Sequence, residues 1–312
     1  MVSAKPHLSG DVNGKKSPIG TWWWNLHGIY ETVDDLTPDA AMQMLVSNNV
    51  SEIYLDVSGM YSDGEMDGDP KAASFADVRT FIRRCRQYQI HVSALTGASR
   101  DTVKKWINPD LGYQEAREFF DKIEFYNLTS DPEERFTGIH LDVEPHSVSD
   151  FVDNRQFYLD QYAKMMEYFA RRAHNNGLSY ETDVCGNLLE DDIVCVDGKE
   201  ERLLDVLFAS CDTVVVMAYR HDAKRQMQFG TERYIPYAEK HGTRLMVGCE
   251  TLPPCDDLTI DDIPPSITYY TIGWEKMVEE VTKLQKLLQK SGAPDLGVSV
   301  HHVHSWHKLP NF

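Results

Sequence analysis

The sequence lacks the features that mark several large classes of protein. No apolar run approaches the roughly 18 residues that a membrane-spanning helix needs. Basic residues are scarce, with 31 lysines and arginines against 49 aspartates and glutamates. The resulting net charge of −18 repels nucleic acid and anionic lipid, so neither is an expected partner. The six cysteines include no Cys-x-x-Cys pair, which in a chain of this length predicts reduced thiols in a cytoplasmic protein.

The first residues also lack the pattern of a secretion signal. Residues 1–16 are polar and contain no apolar core. A cytoplasmic location is therefore expected, and secretion is the alternative if a signal peptide has been removed. Residues 1–17 show no periodicity and are expected to form a flexible tail, which leaves residues 18–312 as one domain.

Short apolar or β-branched runs recur along the remaining chain at roughly 40-residue intervals, as in repeated βα units. The predicted strands are 19–25, 52–58, 90–96, 137–144, 178–184, 213–219, 244–250 and 297–304. Apolar stripes at helical spacing lie between them, most clearly over 157–170 and 274–288. The sequence therefore predicts eight strands that alternate with helices.

This alternation predicts the α/β class and a (β/α)8 TIM barrel. The alternative is a doubly wound open sheet, which would place a glycine-rich phosphate loop after the first strand. Residues 25–28 read Asn-Leu-His-Gly and do not form such a loop. Only eight residues follow the last predicted strand, so the eighth helix is expected to be missing or very short.

The fourth predicted strand carries an unusual row of ionisable residues. His140, Asp142 and Glu144 alternate with apolar residues, so they share one face of the strand. The apolar face is expected to pack on the helices, which turns the three polar side chains into the barrel. Pro145 ends the strand and places Glu144 at the C-terminal mouth, where barrels of this kind hold their active sites.

Other strand ends supply further candidates for the same mouth. They are Trp24, Asp56, Tyr219, Arg220, Glu250, His302 and Trp306. Aromatic rings stack on the apolar faces of pyranose sugars, and carboxylates accept hydrogen bonds from sugar hydroxyls. The combination predicts a carbohydrate substrate, and no cofactor is required.

The fourth strand resembles the signature of the family 18 glycoside hydrolases, the chitinase-like barrels. Their pattern is Asp-Gly-x-Asp-x-Asp-x-Glu, and residues 137–144 read Thr-Gly-Ile-His-Leu-Asp-Val-Glu. Residues 217–219, Met-Ala-Tyr, resemble the family's Met-x-Tyr-Asp, with Arg220 in place of the aspartate. The late tryptophan of the family's eighth strand has a counterpart in Trp306.

The resemblance implies a role for each matching residue. Glu144 would be the general acid, and Asp142 would orient the N-acetyl group whose carbonyl acts as the nucleophile. Tyr219 would donate a hydrogen bond to that carbonyl. The negative charge of Asp142 is expected to favour the protonated form of Glu144, as an acid requires. His140 stands where the family has an aspartate.

A second resemblance is to the large clan of retaining glycosidases, whose fourth strand carries Asn-Glu-Pro. Residues 143–145 read Val-Glu-Pro, and Glu250 on the seventh strand would then be the nucleophile. Retaining chemistry of this kind needs two carboxyl groups about 5–5.5 Å apart. The adjacency of Asp142 and Glu144 on one strand favours the first mechanism.

Two interpretations from other classes stay open at the level of sequence. His140, Asp142, Glu144 and His302 could converge on a divalent cation in a metal-dependent hydrolase. The departures from both signatures also allow a catalytically silent barrel that binds a glycan or a protein. The interpretation that the sequence favours is a glycosidase that uses no metal.

Overall fold

Eight parallel strands form a closed barrel in a computed structural model that describes residues 5–64, 69–111, 113–185, 192–255, 263–292 and 295–312. The strands are β1 (Ile19–Trp23), β2 (Glu52–Asp56), β3 (His91–Ala98), β4 (Gly138–Val143), β5 (Ser179–Cys185), β6 (Thr213–Met217), β7 (Arg244–Glu250) and β8 (Leu296–His301). Each predicted strand is present, and its ends lie within three residues of the predicted ones.

The strands follow one another around the barrel in chain order, and β8 pairs with β1 to close it. In the closing pair, Val298 lies opposite Ile19 and Val300 lies opposite Thr21. The predicted TIM barrel is confirmed, and the doubly wound alternative is wrong because an open sheet would leave β1 and β8 unpaired.

A helix follows each strand and covers the outside of the barrel. The helices are α1 (Pro38–Ser47), α2 (Phe75–Gln87), α3 (Gln114–Leu128), α4 (Arg155–Asn175), α5 (Leu203–Ser210), α6 (Ile235–His241), α7 (Gly273–Ser291) and α8 (Val303–His307). Local sequence sets several of their ends: Thr37 caps α1 by accepting a hydrogen bond from the amide of Ala40. The eighth helix has five residues, as the short C-terminal segment predicts.

Alternation along the strands divides the apolar residues between two cores. Ile139, Leu141 and Val143 of β4 face outward and belong to the large core between strands and helices. A smaller cluster fills the barrel itself and consists of Trp22, Tyr54, Leu95, Val215 and Met246. The intervening polar residues of β4 therefore point into the barrel, as its sequence predicts.

Residues 5–17 lie against the barrel rather than apart from it. Leu8 is buried, and the indole of Trp274 in α7 donates a hydrogen bond to the carbonyl oxygen of Pro6 at 2.7 Å. This packing differs from the expected flexible tail. A few isolated apolar residues anchor the segment, and such anchors leave no periodic pattern in the sequence.

No helix within the described ranges is long and apolar enough to cross a bilayer.

Candidate functional site

The last inward-facing residues of the strands form the C-terminal mouth of the barrel. Four neighbouring strands, β6, β7, β8 and β1, contribute Tyr219, Glu250, His301 and Trp24, which we call the β6–β1 arc. Strands β2, β4 and β5 contribute Asp56, Asp142, Glu144 and Asp183, which we call the acidic arc. The β6–β1 arc therefore combines two aromatic rings and an imidazole with one carboxylate, whereas the acidic arc consists of carboxylates.

Tyr219 belongs to the β6–β1 arc, and carboxylates of both arcs act on its hydroxyl group electrostatically. A Cβ atom added to Gly248 would lie 2.9 Å from the Tyr219 ring, so the glycine lets the tyrosine lie over the backbone of β7. Burial raises the pKa of Tyr219 well above 10, and the charges of the carboxylates around it raise it further. These carboxylates are Glu250, Asp183, Asp142 and Glu144. Tyr219 therefore stays protonated and can act as a hydrogen-bond donor.

Glu144 follows the last residue of β4, and its side chain is 27% exposed. Its backbone amide donates to the carbonyl oxygen of Ala98 on β3 at 2.9 Å, which holds residue 144 in line with the sheet. Its carboxylate lies 3.9 Å from Nε2 of His146, a neighbour that the sequence reading did not single out. Burial and the charge of Arg155 lower the pKa of His146, so this neighbour is neutral at neutral pH.

His140 lies below Asp142 inside the barrel and does not reach the surface. It is 0% exposed, and its two ring nitrogens lie 3.2 Å from Glu181 and 2.9 Å from Asp183. Tyr54 stacks on the imidazole, with 4.0 Å between the ring centroids. The prediction of His140 as a substrate-binding residue is therefore corrected, because two carboxylates of β5 occupy both nitrogens.

Glu181 and Asp183 were not among the predicted site residues. Asp183 also accepts a hydrogen bond from the indole of Trp22 at 3.0 Å, so it connects β5 to β1 and β4. A signal was present, because residues 181 and 183 are acidic and lie two positions apart, hence on one face of a predicted interior strand.

The ion pairs of His140 predict a dependence of stability on pH. Burial alone lowers the pKa of His140, but the charges and hydrogen bonds of Asp183 and Glu181 outweigh it and raise the pKa to about 10. A raised folded-state pKa stabilises the protein fully below the unfolded value of about 6.5, and this contribution is lost as the pH rises toward 10. We expect urea denaturation to show a free energy of unfolding that falls by up to about 1.4 kcal/mol per pH unit in that window.

A variant that lacks the His140 imidazole distinguishes its titration from a general loss of stability at alkaline pH. His140→Gln should give a flatter stability profile between pH 6.5 and 9.5. Profiles with the same slope for both proteins would contradict the assignment of the titration to His140.

Glu250 is an enclosed carboxylate of the mouth. It is 3% exposed, and its Oε1 accepts hydrogen bonds from the amides of Thr251 at 2.7 Å and Leu252 at 2.8 Å. Both carboxylate oxygens lie 3.1 Å from Nδ1 of His301. On the other side of that ring, the indole of Trp24 contacts Nε2 of His301 at 2.8 Å.

Two predicted residues at the rim are engaged in local contacts. Asp56 accepts hydrogen bonds from the amide and hydroxyl of Ser58 at 3.0 and 2.6 Å. Burial raises the pKa of Asp56, and these two bonds oppose the change. Arg220 donates to the carbonyl oxygen of Tyr219 at 2.5 Å and lies over the ring of Phe229, 5.4 Å from its centroid.

Trp306 and His302 do not line the mouth. Trp306 is 0% exposed and stacks on Trp274 of α7, with 6.0 Å between the ring centroids. The predicted eighth strand ends at His301 rather than at residue 304, so Trp306 falls in α8 and points toward α7. Burial is the largest cause of the lowered pKa of His302, which is about 2.

The predicted alternative of a metal site finds no ligand set in the part of the chain that the structure describes. Within those ranges, no group of three or more His, Cys, Asp or Glu side chains is arranged to hold a metal ion. His140 is turned to β5, and His302 lies beyond the end of β8, so the four residues of that hypothesis do not converge.

No family model matches the chain, and no curated protein matches its sequence. Solved structures do share its fold. The spore cortex-lytic enzyme SleL of Bacillus megaterium superposes with a TM-score of 0.52 at 11% identity, over 94% of this chain and 73% of that chain. A class V chitinase from Pseudomonas fluorescens gives a TM-score of 0.52 at 11% identity, over 94% of this chain and 98% of that chain.

A third structure is a family 18 chitinase from Cycas revoluta in complex with (GlcNAc)3. It has a TM-score of 0.50 at 12% identity, over 93% of this chain and 96% of that chain. The chain thus shares its barrel fold with these structures, and the fold that the resemblance of β4 implied is confirmed.

Proposed function

We propose that this protein is a glycoside hydrolase whose general acid is Glu144, with Asp142 and Tyr219 assisting. The observation that carries the proposal is the position of Glu144, a partly exposed carboxylate at the end of β4 with Asp142 on the same face. A group that protonates a leaving oxygen must be reachable by the substrate, and Glu144 meets this requirement.

Tyr219 and Asp142 suit a mechanism in which an N-acetyl group of the substrate acts as the nucleophile. The tyrosine hydroxyl remains protonated and can donate to the acetyl carbonyl, while the Asp142 carboxylate can accept from the acetamide N–H. The chitinase of Cycas revoluta that shares this fold was solved with (GlcNAc)3. Oligosaccharides of N-acetylglucosamine are therefore the first substrates to test.

The environment of Glu250 favours this mechanism over a retaining mechanism with a protein nucleophile. A nucleophilic carboxylate must approach the anomeric carbon. Glu250 is enclosed, and two backbone amides and an imidazole already contact its oxygens. We therefore do not assign the nucleophile role to Glu250.

A catalytically silent glycan-binding barrel is the second candidate, and one observation favours it. Asp142 follows His140 by two residues on β4, and His140 is held as an imidazolium. In the family that β4 resembles, an aspartate occupies the position of His140. Incubation with a panel of oligosaccharides separates the two functions: product formation supports the hydrolase, and binding without products supports the silent barrel.

Tyr219→Phe tests the proposed hydrogen bond to the substrate. The change removes one donor and keeps the ring, so we expect kcat on an N-acetylglucosamine oligosaccharide to fall by about 10²-fold, the size of effect seen when one transition-state donor is lost. Tyr88→Phe is a matched control, because Tyr88 is an exposed tyrosine at the end of α2. Equal rates for Tyr219→Phe and the control would remove Tyr219 from the mechanism.

A further inference from the structure

A chain of hydrogen bonds crosses three neighbouring strands of the mouth. It runs from the two amides after β7 to Glu250, then to His301 at the end of β8, and finally to Trp24 just beyond β1. Glu250 is almost fully buried, while His301 and Trp24 are partly buried.

The donors and acceptors in this chain determine the state of His301. An indole N–H can only donate, so Nε2 of His301 must accept the hydrogen bond from Trp24. The Glu250 carboxylate accepts two backbone amides, so Nδ1 must carry the proton that points to it. The neutral Nδ1–H tautomer is the one state of the ring that satisfies both contacts.

This arrangement fixes the orientation of the Trp24 ring. One edge of the indole is held by His301, and the ring packs against the apolar cluster inside the barrel. His301 also lies beside Tyr219, with 6.1 Å between ring centroids and an interplanar angle of 32°. The His301 side chain therefore lies between Trp24 and Tyr219 and sets the distance between these two rings.

We infer that Glu250 and His301 are positioning residues that hold the Trp24 indole as the stacking wall of the sugar site. This assigns Glu250 a role that differs from the nucleophile predicted from the sequence. The stacking of a sugar on Trp24 rests on the proposed function. The tautomer of His301 and its coupling to Trp24 do not depend on it. A pyranose that enters the mouth would stack on Trp24 opposite the acidic arc.

The coupling can be measured without any sugar. In ¹H–¹⁵N spectra of the full chain, the indole signal of Trp24 is assigned by its disappearance in Trp24→Phe. Glu250→Gln should shift or broaden that signal although Glu250 does not contact Trp24, because the amide no longer fixes the proton on Nδ1. Glu239→Gln, a change of an exposed glutamate on α6, is the matched control and should leave the signal in place.

Imidazole ¹⁵N shifts give an independent reading of the same state. We expect His301 to be the neutral Nδ1–H tautomer, with an Nε2 shift that changes in Trp24→Phe as its donor is lost. An Nε2–H tautomer or an imidazolium at neutral pH would overturn the inference. This reading uses the wild type and Trp24→Phe, so it holds even if Glu250→Gln fails to fold.

A double-mutant cycle tests the consequence for sugar binding. Trp24→Phe keeps an aromatic face but removes the donor, and Glu250→Gln removes the charge at the other end of the chain. We expect each to raise the Kd of an N-acetylglucosamine oligosaccharide by about 10-fold, and the double variant to add no more than about 2-fold, since both break one network. Additive effects would contradict a shared role.

Turnover separates positioning from nucleophilic catalysis by Glu250. A positioning role predicts losses of similar size in Glu250→Gln and Trp24→Phe. A nucleophile predicts that Glu250→Gln abolishes turnover while Trp24→Phe retains most of it. If no sugar binds at all, the proposed function fails, and the NMR measurements alone decide whether Glu250 and His301 position Trp24.

Discussion

Glu144→Gln should reduce turnover of an unactivated glycoside by at least about 10²-fold, the usual size of a general-acid contribution. The amide keeps the shape of the side chain and most of its hydrogen bonds but cannot supply the proton that the leaving oxygen needs. Substrate affinity should therefore survive. A substrate with a very good leaving group should lose less activity, because its departure needs little protonation.

The control for this experiment is another glutamate-to-glutamine change far from the mouth. Glu239→Gln lies on the exposed face of α6 and should retain full turnover. Full activity of Glu144→Gln on the unactivated substrate would rule out Glu144 as the acid. A loss that is equally large with the activated leaving group would indicate a role in binding or folding instead.

The largest expected effect on stability comes from His140. Its imidazolium lies between Glu181 and Asp183 in the barrel interior, and all three side chains are buried. His140→Gln leaves two carboxylates without their cation, and removing one partner of a buried pair costs about 3–5 kcal/mol. We expect the free energy of unfolding, measured by urea denaturation at pH 7, to fall by that amount.

An exposed histidine offers a matched comparison. His174 contacts Asp212 at 2.8 Å, but both side chains are about half exposed, so His174→Gln should cost at most about 1 kcal/mol. Adding Glu181→Gln and Asp183→Asn to His140→Gln should recover part of the loss, since the uncompensated charges are then removed. A small loss in His140→Gln, similar to that of His174→Gln, would show that the ion pairs contribute little.

The fold could be predicted from the sequence because each strand has a recognisable local pattern of residues. Period-2 alternation on β4 correctly predicted that Ile139 faces the helices and that His140 faces the barrel interior. The short segment after β8 also predicted a reduced eighth helix. These features depend on a few consecutive residues, so neither the partners of the strand nor its neighbours had to be known.

The contacts that individual side chains make could not be predicted in the same way. Nothing in residues 138–144 indicates that β5 supplies two carboxylates to His140, because that contact depends on the register between two strands. Glu250 is enclosed by backbone amides of the next two residues, and backbone groups carry no sequence signature. Trp306 was misplaced because the predicted eighth strand ran to residue 304, whereas β8 ends at His301.

The central claim is that a carbohydrate binds at the mouth with its scissile bond beside Glu144. The most direct measurement is a crystal structure of Glu144→Gln soaked with an N-acetylglucosamine oligosaccharide. We expect the sugar to lie between the acidic arc and the β6–β1 arc, with one ring against Trp24. A glycosidic oxygen should lie within hydrogen-bond distance of residue 144, about 2.6–3.2 Å. An oligosaccharide bound away from the mouth, or one whose glycosidic oxygens are all remote from residue 144, would contradict the claim.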